Sequence, residues 1–322
     1  MLLIGPDISF IQHFKTEINK RFQIDDMGDV GTILGMEVTR NRQNRTLKLS
    51  QTKYIEALAK KFRVPNNKDG KSIVPVSKAT LLSTFDPDSS SVNPLPANIP
   101  YRSLLGSILY ANTCTRPDIS FGTSLFGSYN SDTKLAHWRG LQHLLKYIDA
   151  TKELAIEYGG LQVEHPNQLT VYADADFACK YSPKRRSRSG YILYFNNGPV
   201  LWHSSFQTKI AQSTSEAELY SLFDAVQEAK FLQNFLIELG FPQDIINCYE
   251  DNTGCIDWIQ RPRSSTRMKA LELKYYGIRD DDEDEGGEFR FIHIPTADQR
   301  ADLLTKQMDP TPHYHHISNI LK

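Results

Sequence analysis

The sequence predicts an α/β protein, in which an α+β N-terminal part precedes a mixed β-sheet with flanking helices. Two patterns predict this fold. In the first 62 residues, apolar side chains at helical spacing (8–22 and 52–62) enclose a hairpin at 31–50. From about residue 167, three strands precede a long helix and then a strand–helix–strand–helix order. Such an order is typical of a mixed sheet covered by helices.

The chain is predicted to contain more than one domain, because 322 residues exceed the usual size of a single core. Residues 83–100 hold four prolines and four serines and are expected to form an extended linker. We therefore expect an N-terminal unit at 1–82, a connecting helical region at 101–165 and a sheet domain at 166–322. The connecting region is predicted to break at Arg116-Pro117-Asp118.

The elements of the sheet domain follow from alternation, helical spacing and turn residues. Gly240 is expected to end the long helix, and Thr296 with Gln299 forms a capping-box pattern before the last helix. The predicted elements are strands Leu169–Ala173, Ser189–Phe195 and Val200–Trp202, helix Glu216–Leu239, strand Ile245–Tyr249, helix Thr253–Ile259, strand Phe289–Ile294 and helix Ala297–Lys306.

Composition excludes several classes of protein. The formal net charge of −1 argues against a polybasic nucleic-acid coat, so such a partner must be held by local patches. No apolar run approaches the length of a membrane span. Four scattered cysteines without close spacing predict buried thiols in a reducing, intracellular compartment, with a Cys248–Cys255 redox pair as the weaker alternative.

Four acidic residues lie at the edges of predicted elements in the second half: Asp174, Glu216, Asp251 and Asp302. Strand ends and helix starts of one sheet can converge on one cleft, and clustered carboxylates persist only around hard cations. Mg²⁺ prefers such oxygen ligands and supports phosphodiester hydrolysis by two metal ions. Taken singly, each acid is better explained as a helix-dipole, turn or solvated residue, and the ordered set of four on matching elements reverses that preference.

Five motifs in order over about 135 residues resemble the ribonuclease H domain of copia-type long-terminal-repeat retrotransposons. They are Tyr172-Ala173-Asp174-Ala175-Asp176-Phe177-Ala178, Ser187-Arg188-Ser189-Gly190-Tyr191, Ser213-Thr214-Ser215-Glu216-Ala217-Glu218-Leu219, Asp251-Asn252-Thr253-Gly254-Cys255-Ile256 and Ala301-Asp302-Leu303-Leu304-Thr305-Lys306. The resemblance implies a five-stranded mixed sheet and metal-dependent cleavage of RNA in an RNA–DNA hybrid. It assigns two Mg²⁺ ions, or Mn²⁺, to Asp174, Glu216, Asp251 and Asp302, with Asp176 as a weaker candidate.

The resemblance extends to the first half of the chain. Phe22–Gly28, Leu34–Val38 and Leu49–Ile55 are similar to the end of the reverse transcriptase palm and the start of its thumb. Tyr101–Tyr110, Thr115–Ile119 and His137-Trp138 resemble the segment between polymerase and nuclease. In the family, Leu2–Gly5 follows the Tyr-x-Asp-Asp turn that supplies the polymerase aspartates. We therefore expect a C-terminal Pol fragment without polymerase activity, in a cytoplasmic virus-like particle or the nucleus.

Three segments depart from the family or remain open. Ala270 and Tyr276 stand where copia-type sequences usually have histidines, which puts catalytic turnover in doubt. The run Asp280–Glu285 is expected to be a solvated acidic loop, with calcium binding or drift as alternatives. His313, His315 and His316 predict an unstructured tail rather than a metal site.

The expected partner, an RNA–DNA hybrid, requires positive charge. Lys184, Arg185, Arg186 and Arg188 are predicted to contact its phosphate backbone, and a solvated loop is nearly as plausible. Helices around Arg139 and Lys146 are the alternative track. Two other functions stay open: a degenerate relic that at most binds nucleic acid, and a cellular nuclease of the same fold. The oligomeric state is not predicted.

Overall fold

The computed structural model describes residues 1–63, 74–85, 94–163, 165–182, 185–261 and 272–322. Within these ranges, no helix combines the length and the apolar character that crossing a membrane requires. The described part contains two β-sheets, one of four strands and one of five.

The four-stranded sheet belongs mainly to the N-terminal part, as the predicted hairpin suggests. The elements of this N-terminal part are helix α1 (Ile8–Asn19), strands β1 (Thr32–Ile33), β2 (Met36–Asn41) and β3 (Thr46–Ser50), and helices α2 (Thr52–Lys61) and α3 (Lys78–Phe85). The hairpin pairs Val38 with Leu49. Strand β4 (Ile156–Gly159) was not predicted, and it adds antiparallel to β3. The sheet order is β1-β2-β3-β4.

Three helices form the connecting region: α4 (Tyr101–Cys114), α5 (Ser120–Gly127) and α6 (Leu135–Ala150). A 3₁₀ turn at Pro117–Ile119 separates the first two, at the predicted break. Two charged side chains at this turn, Arg116 and Asp118, form a fully buried ion pair with an Nη2–Oδ2 distance of 2.7 Å. A fully buried pair of this kind persists because each charge satisfies the other.

The second sheet confirms the predicted fold class. Its strands are β5 (Leu169–Asp176), β6 (Arg188–Phe195), β7 (Gly198–Phe206), β8 (Ile246–Glu250) and β9 (Phe289–His293). Their order is β7-β6-β5-β8-β9, with β5, β8 and β9 mutually parallel and the other pairs antiparallel. The helices are α7 (Thr214–Glu238), α8 (Thr253–Gln260), α9 (Glu272–Asp280), α10 (Asp302–Thr305) and α11 (Pro310–Ser318).

The two faces of this sheet pack into different cores. Val171 and Ala173 belong to a core shared with α7, α8 and α9. Tyr172 and Ile192 point to the other face and pack in a core with α10, α11 and the connecting helices. Because side chains alternate along a strand, Asp174 shares the face of Tyr172 and lies on the side of α10.

Two predictions about the C-terminal region were wrong. The predicted helix Ala297–Lys306 is a 3₁₀ turn at Thr296–Asp298 followed by the short α10, because buried Gln299 takes an extended backbone. Its side-chain amide donates to the Ala173 carbonyl at 2.8 Å, and this contact with β5 replaces the helix. The histidine-rich segment forms helix α11 instead of an unstructured tail.

Helix α3 extends to Phe85, three residues into the segment predicted as a linker. The part of that linker from 86 to 93 lies outside the described residues. Helix α9 was not predicted from the sequence. It packs Tyr275 and Ile278 into the core beneath α7.

Candidate active site

Three carboxylates meet at one end of the five-stranded sheet. Asp174 lies near the end of β5, Glu218 in the first turns of α7, and Asp251 directly after β8. One oxygen of each lies within 4.8 Å of the oxygens of the other two. Among the described residues, this is the one group of histidine, cysteine or acidic side chains with such spacing. Three oxygens this close are suited to a hard divalent cation.

Glu216 does not join this group, and the expectation that placed it there is corrected. Its two carboxylate oxygens accept hydrogen bonds from the Gln212 backbone N–H (2.8 Å) and the Tyr220 hydroxyl (3.0 Å). Glu218, two residues later on the same helix, carries its carboxylate into the cluster instead. The carboxylate of Glu216 therefore bonds within the start of α7, and Glu218 is the glutamate of the three-carboxylate group.

Local capping interactions hold the acidic side chains in place. Ser213 caps α7 by accepting from the Glu216 backbone N–H, and Asn252 caps α8 by accepting from the Cys255 N–H at 2.9 Å. The Ser215 hydroxyl donates to the Asn252 side chain at 3.1 Å and joins the two helix starts. A Cβ at Gly254 would lie 2.6 Å from that hydroxyl, so a larger residue there would force the Ser215 side chain to move away from Asn252.

Glu250 is a further buried carboxyl group that the sequence analysis missed. It occupies the last position of β8, where Ile246 and Cys248 also point inward, and this alternation could have identified it as buried. One oxygen accepts from the Asn252 N–H at 2.9 Å, and the other has no hydrogen-bond partner. Burial raises the pKa of Glu250 well above its usual value.

The electrostatics of the cluster reflect carboxylates gathered away from water. Burial raises the pKa of Glu218, and the neighbouring Glu250 and Asp174 add to the effect by charge repulsion. Burial likewise raises the pKa of Asp174, against the opposing effect of Lys306. Glu218 also keeps one buried oxygen without a hydrogen-bond partner. Such oxygens are costly unless they gain a proton or a cation, so the site is built to receive positive charge.

Asp302 approaches the cluster from α10 together with a lysine. The Lys306 Nζ lies 2.8 Å from the Asp302 Oδ1 and 3.8 Å from the Asp174 Oδ2. Burial raises the pKa of Asp302 to about 7, and the charge of Asp174 adds to this. The Thr305 hydroxyl also donates to the Asp174 Oδ2. Asp302 thus contributes charge to the site while lying outside the group of three, as does half-buried Asp176.

The basic-loop residues predicted to contact phosphate differ in their exposure to solvent. Lys184 lies outside the described residues, Arg185 is exposed and Arg186 is half-buried. Arg188 is fully buried, so its assignment as a backbone contact is corrected. Its guanidinium lies over the Phe206 ring, 4.0 Å from the centroid, and donates to hydroxyls of the residues Ser124 and Ser204. It joins α5 to the sheet.

The other singled-out segments also have definite positions. Ala270 lies outside the described residues, and Tyr276 is exposed on α9. The acidic loop is only partly solvated, because Asp282 is buried and Glu283 pairs with Arg290. His313 is buried against Tyr147, with the ring Nε2 3.0 Å from the phenol oxygen, so it serves packing.

The sequence matches one family model and is similar to polyproteins of plant transposons. The family described as reverse transcriptase (RNA-dependent DNA polymerase) matches residues 1–78. The chain is 33% identical over 306 residues, 95% of its length, to the retrovirus-related Pol polyprotein from transposon TNT 1-94 of Nicotiana tabacum. It is 30% identical over 314 residues, 96% of its length, to that from transposon RE2 of Arabidopsis thaliana.

The chain spans about a fifth of the length of these two relatives, 22% and 20% respectively. Among solved structures, LC11-RNase H1, isolated from compost by a metagenomic approach, is 18% identical with a TM-score of 0.34. That match covers 43% of this chain and 93% of the solved chain.

Proposed function

Since the chain belongs to the retrovirus-related Pol family of copia-type retrotransposons, we propose that its five-stranded sheet domain is a ribonuclease H. The proposed reaction is hydrolysis of the RNA strand of an RNA–DNA hybrid, with Mg²⁺ or Mn²⁺ as the cofactor. The observation that carries this proposal is the meeting of Asp174, Glu218 and Asp251, whose oxygens lie within 4.8 Å of one another.

The residues present fit a divalent cation. The donors are carboxylates, and Glu218 and Glu250 each keep a buried oxygen without a hydrogen-bond partner. Asp174, Glu218 and Asp251 would hold the ion, with Asp302 adding negative charge beside them. An ion held there would activate water and stabilise the charge that develops on the scissile phosphate. The protein keeps the carboxylates together through the caps of α7 and α8, before any substrate arrives.

Substrate binding requires cations at the surface, since phosphate contacts supply most of the affinity for a nucleic acid. Arg185 is the exposed member of the described basic loop, and Arg139 is exposed on α6. We assign the first contact with the hybrid backbone to Arg185. Arg188 supports this surface only indirectly, because its side chain is fully buried.

The alternative is a degenerate domain that binds nucleic acid without cleaving it. The convergent carboxylates favour the enzyme, because Glu218 and Glu250 each keep a buried oxygen without a hydrogen-bond partner, which is costly and serves no structural purpose. The two functions differ in one measurable result, which is metal-dependent cleavage of the RNA strand.

The test compares two isosteric variants on the same helix. The full chain is incubated with a hybrid that carries a labelled RNA strand, in the presence of Mg²⁺ or Mn²⁺. Loss of an outer-shell partner of a metal typically costs 10–100-fold, so Glu218→Gln, which changes a ligand itself, should lower the rate at least about a hundredfold. Glu216→Gln should cleave close to the wild-type rate, because its carboxylate lies outside the cluster.

Chelation by EDTA should abolish cleavage in the wild type, and excess Mg²⁺ should restore it. Asp174→Asn provides a second ligand variant, expected to match Glu218→Gln. Hybrid binding without cleavage by the folded wild-type chain would support the degenerate alternative. Equal activity of Glu218→Gln and wild type would refute the assignment of the glutamate.

A further inference from the structure

Lys306 is a cation built into the acidic site. It directly follows α10, and its backbone N–H bonds the Asp302 carbonyl at 3.2 Å, which fixes the start of the side chain. Its Nζ lies 2.8 Å from the Asp302 Oδ1 and 3.8 Å from the Asp174 Oδ2. The ammonium group therefore lies between the carboxylate of α10 and the carboxylate of β5.

The charges around Lys306 are unequal. Asp174, Glu218, Glu250, Asp251 and Asp302 all interact electrostatically within this site. Among the described residues, Lys306 is the cation whose ion pairs reach these acids. Its side chain is 38% exposed, compared with 2% for Asp174 and 7% for Asp302, so it enters from the solvent side. This partial exposure leaves the ammonium in contact with solvent.

The ammonium and the three-oxygen group share Asp174. Its Oδ2 accepts from Thr305 and pairs with Lys306, while Glu218 and Asp251, from α7 and the end of β8, form no ion pair with Lys306 in the described part of the chain. A cation bound among Asp174, Glu218 and Asp251 leaves the ion pair of Lys306 with Asp302 intact. A cation bound between Asp174 and Asp302 would meet the ammonium and must displace it.

We propose that Lys306 takes the place of a second divalent ion, so that the free protein binds one ion tightly and a second only weakly. This inference rests on the proposed function, since it requires that the carboxylates bind a metal. Lys306 is thus a positioning residue: it holds Asp302 and Asp174 together when the α10 side has no ion. The two-ion expectation from the sequence then applies only once the lysine has moved out.

The number of bound ions tests this directly, without any measurement of activity. Mn²⁺ is titrated into the full wild-type chain, and free Mn²⁺ is followed by electron paramagnetic resonance, with calorimetry as a parallel readout. The expected isotherm shows one tight ion, and a second ion bound at least about tenfold more weakly, as expected for an ion that must displace a paired ammonium. Two ions of equal affinity in the wild type would overturn the inference.

Variants separate the charge of Lys306 from its shape. Lys306→Met removes the ammonium and should tighten the second ion to within a few-fold of the first. Lys306→Arg keeps the charge and should retain the wild-type isotherm. Lys209→Met changes an exposed lysine elsewhere and controls for net charge. An isotherm of Lys306→Met identical to that of the wild type would overturn the inference.

Thermal melting, measured without and with divalent ions, provides a second readout. Without divalent ions, Lys306→Met should melt below the wild type because the acids lose their counter-charge, and saturating Mn²⁺ should remove most of that difference. A difference that persists in saturating Mn²⁺ would contradict the replacement of one cation by the other. If Lys306→Met is unfolded, the wild-type isotherm alone decides the matter. Absence of any Mn²⁺ binding in the wild type would refute the proposed function itself, a result distinct from two equal ions.

Discussion

Acid should weaken the attachment of α11 to the connecting region through the buried side chain of His313. The Tyr147 hydroxyl donates to the Asp118 Oδ2 at 2.7 Å, so its oxygen is free to accept from His313, whose Nε2 lies 3.0 Å away. This geometry requires a proton on Nε2, which the neutral ring supplies without placing a charge in the buried network. The Arg116 guanidinium pairs with the same Asp118 and disfavours a second positive charge there.

The magnitude follows from the pKa. Burial lowers the pKa of His313 to about 4, from an ordinary value of 6.5. Between these two values the unfolded chain binds a proton that the folded chain does not. The stabilising contribution is therefore complete above pH 6.5 and is lost as the pH falls towards 4. At 1.36 kcal/mol per pKa unit, the loss amounts to roughly 3 kcal/mol.

The assay is denaturant unfolding, followed by circular dichroism at pH 7 and pH 4.5, for the wild type and two variants. His313→Gln keeps an amide donor for Tyr147 and has no titratable group, so it should lose roughly 2–3 kcal/mol less than the wild type on acidification. His315→Gln changes an exposed histidine of the same helix and should behave as the wild type.

The difference between variants matters more than the absolute profile, because other buried groups titrate in the same range. Burial raises the pKa of Asp302 to about 7, so this residue makes the folded state bind more protons and opposes the effect of His313. Burial also lowers the pKa of His316, which acts in the same direction as His313. An equal loss in the wild type and His313→Gln would refute the reasoning.

Two further predictions concern packing and charge. Gly190→Ala should destabilise the chain by roughly 1–3 kcal/mol, because the added Cβ would lie 2.8 Å from the Leu304 Cβ. Thermal melting measures this loss. Gly106→Ala is the control, because nothing lies within 4 Å of a Cβ added there. Arg188→Ala should cost roughly 2–4 kcal/mol in the same melts, because it empties a fully buried position. Exposed Arg185→Ala should leave melting unchanged and reduce the slope of log hybrid affinity against log salt by about 1. Unchanged melting of Arg188→Ala together with destabilised Arg185→Ala would contradict the burial of Arg188 and the exposure of Arg185.

The sheet and two of its acids could be predicted because the evidence is local. Alternation of side chains identifies β5 and β8, and their ends place Asp174 and Asp251 at one edge. The choice between Glu216 and Glu218 could not be made this way. Glu216 lies three residues before the buried Leu219 and Glu218 four before the buried Leu222, so helical spacing puts both beside the core. Only the packing of α7 on the sheet decides which carboxylate reaches the site.

The burial of Arg188 and His313 depends on residues that are distant from them in the sequence. Arg188 belongs to a basic run, and its partner Ser124 lies 64 residues away on α5. His313 is buried by Tyr147, which lies 166 residues away on α6. Contacts between residues so far apart produce no local pattern in the sequence. The run of charges and the cluster of histidines therefore both predicted solvent-exposed segments.

The C-terminal segment from Asp302 to His313 connects the carboxylate site with the connecting helices. Asp302, Thr305 and Lys306 contact Asp174 or its ion-pair partner in the site, and only seven residues later His313 enters the network of the connecting helices. Between them, the Leu304 carbonyl accepts from the Ser204 hydroxyl on β7. Leu303 and Leu304 of α10 share one core with Ile317 of α11, so release of α11 by acid should loosen the packing of α10 next to Asp302. Arg185 lies outside this segment, so its loss should change affinity for the hybrid while the carboxylates stay in place.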